Sequence, residues 1–180
     1  GSLRAFDLRD FDPDERCLDL CHRPESETPL KNGSAAERSI AIGESYCQVV
    51  RDYVDVHRHE VRDDYGRQPL ITSRQGRPSS TAIRDTIYKN TRPCLYGPCP
   101  HDRDPATCEA MRHDRASRCP SSRSPHGIRR GSITTHLRDG TPEEIVTDRM
   151  NVSSDILDQH YDRRTEREKM QLRRQFINDA

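Results

Sequence analysis

The sequence contains no tryptophan, and only 5% of its 180 residues are aromatic. Hydrophobic residues make up 31% of the chain, so any hydrophobic core must be small. No apolar run approaches the roughly 18 residues that a membrane-spanning helix needs, and no signal peptide is recognisable. We therefore expect a soluble, cytoplasmic protein without a membrane partner.

The chain also lacks an excess of charge of either sign, because 30 basic residues balance 30 acidic ones. Arginine dominates the basic residues, since the lysines are only Lys31, Lys89 and Lys169. Arginine makes planar, bidentate contacts with phosphate, so this composition suits a nucleic-acid partner, although genome base composition would explain it as well. The low hydrophobic content borders on that of disordered chains, but well-capped periodic segments favour a folded protein.

Alternating apolar residues predict two antiparallel strands, at 17–23 (CLDLCHR) and 37–42 (ERSIAI). A long polar loop between them contains Lys31. Residues 70–72 predict a third short strand. Together with the helical segments, this pattern predicts one domain over 1–180 with a mixed α+β fold, mainly helical, and a small antiparallel sheet.

The segment 124–161 predicts three capped helices, over about 125–137, over 142–150, and from the Ser153-Ser154 turn to His160 and Tyr161. Serine before proline marks a helix start, and a glycine marks a helix end. The cap signals in chain order are Ser124-Pro125, Gly140, the capping box Thr141-x-x-Glu144, and Ser153 or Ser154. Two further helices are predicted upstream, at about 44–61 and from Ser79 or Ser80 to Tyr88.

The predicted helices carry a His126-x-x-Arg129 box, and Tyr161 follows Arg129 by 32 residues. This box, its spacing to the tyrosine and the caps between them resemble the catalytic domain of tyrosine recombinases, the phage integrase family. The segments SPHGIRRGSIT and NVSSDILDQHYDRR look most like archaeal, halophile-type integrases.

The resemblance implies site-specific DNA recombination through a 3'-phosphotyrosyl intermediate. It implies that Tyr161 is the nucleophile, that Arg129 stabilises the transition-state charge, and that His126 donates or accepts a proton or hydrogen bond. Lys31 takes the position of a hairpin lysine that protonates the leaving 5'-oxygen. No cofactor is implied for catalysis. The alternatives are a tyrosine that packs at a helix end, a helical histidine and a solvated arginine, and a solvated loop lysine.

Four of the seven cysteines lie in the proline-rich segment 91–124, which lacks hydrophobic periodicity. We interpret this segment as an insertion folded by a structural zinc ion, because such an ion contributes of order 10 kcal/mol in small metal-folded units. His101 or His113 are substitute ligands, and free thiols or disulfides are the alternatives. The predicted ligands are Cys94, Cys99, Cys108 and Cys119.

Two departures from the family pattern stand out. Val152 occupies the position where relatives have a second histidine or a tryptophan. Aligning Asp10-Phe-Asp12 with the acidic turn of relatives places the first catalytic arginine about two residues before Gly1. We therefore expect a truncated catalytic half that cleaves poorly alone, either a gene fragment or a sequence with incomplete boundaries, and the sequence leaves open whether the first arginine and the DNA-clamping domain are encoded upstream.

After Tyr161, residues 162–180 predict a strongly charged helix with sparse apolar positions at Met170 and at Phe176 or Ile177. The helix is either solvated or, as in the family, packed against a neighbouring protomer. The resemblance implies duplex DNA as the partner and a homotetramer of the full-length protein on DNA.

Two other functional classes fit parts of the pattern. A zinc-supported DNA-binding module without catalysis would need the cysteines and arginines but not Tyr161. A type IB topoisomerase-like enzyme would share the tyrosine and arginine chemistry, but it would relax supercoils without a partner strand.

Overall fold

A computed structural model of the chain describes residues 1–162 and 164–178, without the side chains of residues 175, 176 and 178. The predicted apolar position Phe176 is thus outside the described side chains. The chain divides into two compact units, residues 1–122 and residues 123–180. No helix among the described residues is both long and apolar enough to cross a bilayer.

The first unit contains a small antiparallel sheet with strand order β1-β2-β3. The strands are β1 (Phe11–Asp12), β2 (Cys17–Leu20) and β3 (Arg38–Ala41). Leu18 is the central register position, since it pairs with Phe11 on one side and Ile40 on the other. The predicted pair of strands is therefore confirmed, and β1 adds a two-residue strand too short to show any periodicity.

The predicted third strand at residues 70–72 is wrong. An isolated bridge joins Asp7 to Pro69, and the Leu70 N–H donates to the Phe6 carbonyl at 3.0 Å. Pro69 has no N–H to donate, so a ladder cannot extend through it. The contact nevertheless ties this stretch to the start of the chain.

Three helices complete the first unit: α1 (Ser2–Ala5), α2 (Glu44–Asp52) and α3 (Ser80–Asn90). A π-helical turn at Tyr53–His57 continues α2, so regular helix ends before the predicted limit at 61. Ser79 caps α3 as predicted, accepting a bond from the Ala82 N–H at 3.1 Å. The apolar core of the unit is built from short, scattered segments, and its largest members are Phe6, Phe11, Leu20, Leu30 and Leu70.

A buried carboxylate, Asp7, organises the polar interior of the same unit. It is 2% exposed and accepts hydrogen bonds from Arg67 at 2.8 and 2.9 Å and from Arg77. Arg23, 3.4 Å from Asp7, forms a bidentate pair with Asp10. Burial alone would raise the pKa of Asp7, but the bonds from Arg67 and Arg77 outweigh it and hold this pKa below its ordinary value.

Replacing Asp7 with asparagine should destabilise the first unit strongly. Arg67 would lose the carboxylate that pairs with it, Arg77 would keep only Asp63, and breaking a buried ion pair costs about 3–5 kcal/mol. Urea unfolding followed by circular dichroism measures the change. The matched control is Asp14→Asn, since the Asp14 side chain is 93% exposed and its pair with Arg51 lies at the surface. Equal midpoints for the two variants would contradict the structural role of Asp7.

The pH dependence provides a second check on Asp7. Its pKa is lower in the folded state than in the unfolded state, so its contribution is present above about pH 4 and is lost as the pH falls below that value. The two pH values to compare are pH 6 and pH 3, roughly two units above and one unit below the ordinary aspartate pKa. Between them, the free energy of unfolding should fall more in the wild type than in Asp7→Asn. Parallel pH profiles would count against the pairing.

The second unit is helical, with α4 (Pro125–Arg138), α5 (Glu143–Met150), α6 (Ser154–His160) and α7 (Glu166–Asn178). The C-terminal helix, expected over 162–180, thus begins at Glu166. The first three helices meet around four side chains with at most 1% exposure, and Met150, Val152 and Tyr161 pack against this cluster. The four are Ile133, Leu137, Val146 and Leu157, which we call the helical core.

The helix boundaries follow the predicted caps with one exception. Gly140 has φ +82°, a conformation that suits glycine, and ends α4 as predicted. The predicted Thr141-Glu144 capping box is wrong, because the N-cap of α5 is Pro142 and it makes no side-chain cap bond. The Thr141 N–H instead donates to the His136 carbonyl at 2.9 Å, so Thr141 belongs to the turn that ends α4.

Candidate active site

The start of α4 carries two of the predicted site residues. The Ser124 hydroxyl accepts a hydrogen bond from the Gly127 N–H at 3.0 Å, and Pro125 occupies the first helical position, as predicted. His126 and Arg129 therefore lie in the first two turns of the helix. This end carries the positive pole of the helix dipole, which favours an anionic ligand.

His126 is exposed, whereas Arg129 is half-buried and fixed. One guanidinium nitrogen of Arg129 donates to the Met150 carbonyl at the end of α5. Asn151, in the left-handed conformation with φ +47°, ends that helix directly after Met150. A guanidinium carries five N–H donors, so this bond orients Arg129 and leaves donor capacity for a phosphate.

Tyr161 ends α6, as the sequence predicts. Its backbone N–H donates to the Leu157 carbonyl at 2.9 Å, and its half-buried side chain packs against the helical core. This packing agrees with both interpretations of Tyr161, the helix-end tyrosine and the nucleophile. The helical core nevertheless unites the helix that carries His126 and Arg129 with the helix that delivers Tyr161.

Val152 packs against the same core. Its N–H donates to the Thr147 carbonyl at 3.1 Å, which places it in the turn after α5. An aliphatic side chain there adds apolar contact but cannot hydrogen-bond a phosphate. Val152 therefore contributes to the packing of the helical core in this turn.

Sequence reasoning missed a group of charged residues directly after Tyr161. Asp162 pairs with Arg164 and with Lys169, and Arg164 also pairs with Glu143; we call these four residues the Asp162 cluster. Hydrogen bonding from Arg164 is the main reason that the pKa of Asp162 lies well below its ordinary range. A Thr165-x-x-Glu168 capping box was the available signal that α7 begins after Thr165.

Carboxylate oxygens of Glu143, Asp158 and Asp162 lie within 4.8 Å of one another, a spacing that a metal ion could bridge. Arg164 and Lys169 already supply positive charge to this group, at 2.7 to 3.0 Å. The acidic group is therefore part of an ion-pair network.

Lys31 lies in the first unit, exposed in the loop between β2 and β3. The neighbouring Leu30 is buried, and its N–H donates to Nδ1 of His22 at 2.9 Å. Gly33, with φ +62°, donates its N–H back to the Leu30 carbonyl at 3.1 Å. A fixed turn thus presents the lysine to solvent.

The cysteine-rich segment is built from short 3-10 turns at Pro93–Leu95, Glu109–Met111 and Ala116–Arg118. Arg92 is 7% exposed and donates to the Ala110 carbonyl and, at 3.1 Å, to the Lys89 carbonyl. One buried arginine therefore connects the end of α3 to the later part of the segment. This contact was not predictable from spacing.

The predicted zinc ligands are not gathered in this conformation. Among the described residues, no three of the cysteine sulfur or histidine nitrogen atoms of the segment lie within 4.8 Å of one another. Cys94 contacts the Met111 sulfur at 3.7 Å, Cys119 is buried, and His101 bonds Ser121 at 3.0 Å. A bound zinc ion would require the thiolates to move closer together, and the zinc site stays a prediction.

Comparisons with known proteins agree with the helical fold and its small sheet. No family model matches the chain, and no curated protein matches it significantly. Among solved structures, the chain has the fold of a recombinase. The similar structure is that of XerA recombinase, with a TM-score of 0.61, 16% sequence identity and 98% of this chain covered. The chain spans about half of the XerA chain, 52% of its length.

Removing the Ser124 cap at the start of the helix that carries the His126-x-x-Arg129 box should lower the stability of the second unit measurably. Ser124→Ala leaves the Gly127 N–H without its acceptor and should destabilise the second unit by about 1 kcal/mol. Ser124→Asp restores an acceptor and should stay near the wild type. Thermal unfolding by circular dichroism compares the variants, and an equal loss in both would show that the cap bond is not responsible.

The zinc prediction can be tested directly by measuring the zinc content of the purified protein. Protein purified without chelators should contain about one zinc per chain by mass spectrometry of the metal, since a structural site uses four ligands for one ion. Cys108→Ser should lose the zinc, and Cys21→Ser, which changes a half-buried cysteine outside the segment, should keep it. Zinc-free wild type, or zinc kept by Cys108→Ser, would rule out the predicted site.

Proposed function

We propose that this chain cuts and rejoins duplex DNA as a site-specific tyrosine recombinase. The observation that carries the proposal is the packing of α4, α5 and α6 around one helical core, which joins the helix that carries His126 and Arg129 to the helix that ends at Tyr161. The XerA-like fold supports the same conclusion. Because the chain spans about half of XerA, activity, partner and oligomeric state are all part of the proposal.

In the proposed reaction, the Tyr161 hydroxyl attacks the scissile phosphodiester. The tyrosyl oxygen bonds to phosphorus as the bond to the 5'-oxygen breaks, which gives a 3'-phosphotyrosyl ester and a free 5'-hydroxyl. Attack by the 5'-hydroxyl of a partner strand reverses the chemistry and releases the tyrosine. The phosphotyrosyl ester conserves the energy of the broken phosphodiester bond, so the reaction needs no nucleotide cofactor.

Arg129 and His126 act on the phosphate. The Arg129 guanidinium, oriented by its bond to Met150, donates to the non-bridging oxygens as negative charge develops. His126, exposed in the first turn of α4, is free to reach the phosphate and to accept the tyrosine proton or hydrogen-bond an oxygen. The positive pole of α4 adds to the stabilisation of the anion.

Lys31 protonates the leaving 5'-oxygen in this proposal. Its exposure in a fixed loop between β2 and β3 supports the assignment, because the ammonium group is accessible to a bound duplex.

Covalent trapping tests the proposal. The chain is incubated with nicked duplex DNA from the flanks of the source gene, in which loss of the short strand that carries the 5'-hydroxyl prevents religation. A denaturant-resistant protein–DNA adduct is expected, and it should disappear in Tyr161→Phe because only the hydroxyl oxygen is lost. The matched control is Tyr46→Phe, since Tyr46 is 73% exposed on α2 and should leave the adduct unchanged.

The outcomes separate the candidate functions. Adduct formation that needs Tyr161, with strand exchange on a partner duplex, supports a recombinase. Plasmid relaxation without strand exchange would favour a topoisomerase-like enzyme instead. Binding of the site with no adduct in the wild type, and equal affinity of the wild type and Tyr161→Phe, would leave a DNA-binding module and refute the catalytic proposal.

A further inference from the structure

Few interactions within α6 itself stabilise its C-terminal end, which carries Tyr161. The helix has only seven residues, and its N-cap Ser153 makes no side-chain cap bond. Helices this short are marginal without tertiary contacts. The Leu157 carbonyl accepts from both the Tyr161 N–H and the Asp162 N–H at 2.9 Å, and Leu157 itself is buried. Besides its packing against the helical core, the position of Tyr161 therefore depends on the contacts of the residues that follow it.

Arg164 makes that connection. Its guanidinium bonds both carboxylate oxygens of Asp162 at 2.9 Å, and a planar bidentate pair fixes orientation as well as distance. The same guanidinium donates to the Leu137 carbonyl at the end of α4 at 3.2 Å, and to the Glu143 carboxylate in the first turn of α5 at 2.7 Å. One side chain thus joins the residue after the tyrosine to two other helices.

The Arg164–Asp162 pair is buried, so each charge needs the other as a partner. The side chains of Arg164 and Asp162 are 8% and 1% exposed. A buried carboxylate that loses its partner is strongly destabilised, so Asp162 would have to move toward water if Arg164 were removed. Lys169 contacts Asp162 from α7 at 3.0 Å, but a single ammonium group cannot replace the bidentate geometry or the bonds to α4 and α5.

The packing of α7 supports the same arrangement. A Cβ atom on Gly140, in the turn between α4 and α5, would lie 3.2 Å from the Leu172 side chain. The helix that carries Lys169 is therefore in close contact with the turn that separates the two helices bonded by Arg164. Contacts from α4 and α5 thus reach Arg164, which bonds Asp162, and α7 contacts Asp162 directly through Lys169.

From this geometry we infer that Arg164 is a positioning residue for Tyr161, which it holds in place through Asp162. The inference rests on the proposed function, in which Tyr161 is the nucleophile. Arg164 itself contacts no reacting atom. Its role is to fix the tyrosine hydroxyl relative to α4, and thus relative to Arg129. Misplacement of a reacting group by about 1 Å can cost about 100-fold in rate.

Variants of the full chain test the inference. Arg164→Ala removes every contact of the guanidinium, and Arg164→Lys keeps the charge but loses the bidentate pair. Arg167→Ala is the matched control, because Arg167 is an exposed arginine close by, in the first turn of α7. Thr165→Ala controls for stability, since it removes the α7 capping bond to the Glu168 N–H and leaves Asp162 untouched. Circular dichroism confirms that each variant is folded at the assay temperature.

The first readout is independent of catalysis. Hydrogen exchange of the Tyr161 and Asp162 amides should accelerate at least about tenfold in Arg164→Ala, because their shared acceptor no longer stays aligned. The amide of Ile133, in the middle of α4, should keep its protection. Unchanged exchange at Tyr161 and Asp162 in folded Arg164→Ala would overturn the inference whether or not the protein cleaves DNA.

The second readout is the rate of adduct formation on trapped DNA. Arg164→Ala should slow it about 100-fold with little change in DNA affinity, and Arg164→Lys should recover part of the loss. Arg167→Ala and Thr165→Ala should stay close to the wild type. A normal adduct rate in Arg164→Ala would overturn the inference, whereas no adduct in the wild type would refute the proposed function and leave hydrogen exchange to decide the role of Arg164.

Discussion

Pairing of buried aspartates with arginines is the interaction on which both units depend. The chain has few hydrophobic residues, and its apolar clusters are correspondingly small. Asp7 in the first unit and Asp162 in the second are almost fully buried, and each is bonded by guanidinium groups that also donate to backbone carbonyls. Arginine suits this role better than lysine because its planar donors bond several acceptors at once.

The candidate nucleophile Tyr161 lies between an apolar and a charged part of the second unit. Its side chain packs against the helical core, and the next residue, Asp162, belongs to the ion-paired Asp162 cluster. Apolar packing alone would allow the end of a short helix to fray, whereas the ion pairs define where the chain must continue. Arg129 on α4 is also fixed by its guanidinium, which donates to the Met150 carbonyl at the end of α5.

Local signals in the sequence predicted local structure well. Ser124, Gly140 and Ser79 cap or end helices as their residue types favour, and the paired strands around Lys31 form as alternation predicts. Long-range pairing was not accessible in the same way. Arg67 bonds Asp7 across 60 positions, and one of 27 arginines cannot be assigned to one aspartate by spacing. In the Asp162 cluster only the bonds of Arg164 to Glu143 and Leu137 are long-range, 21 and 27 positions apart, and these links were not accessible from spacing, although the Thr165-x-x-Glu168 box was visible.

The measurement that tests the central claim most directly is the identification of the residue joined to DNA. Trapped adduct is digested with a protease and a nuclease, and the modified peptide is sequenced by mass spectrometry. The account predicts a nucleotide attached through its 3'-phosphate to Tyr161. Attachment to another residue, a 5'-phosphate linkage, or no modified peptide from protein shown to bind the DNA would contradict it.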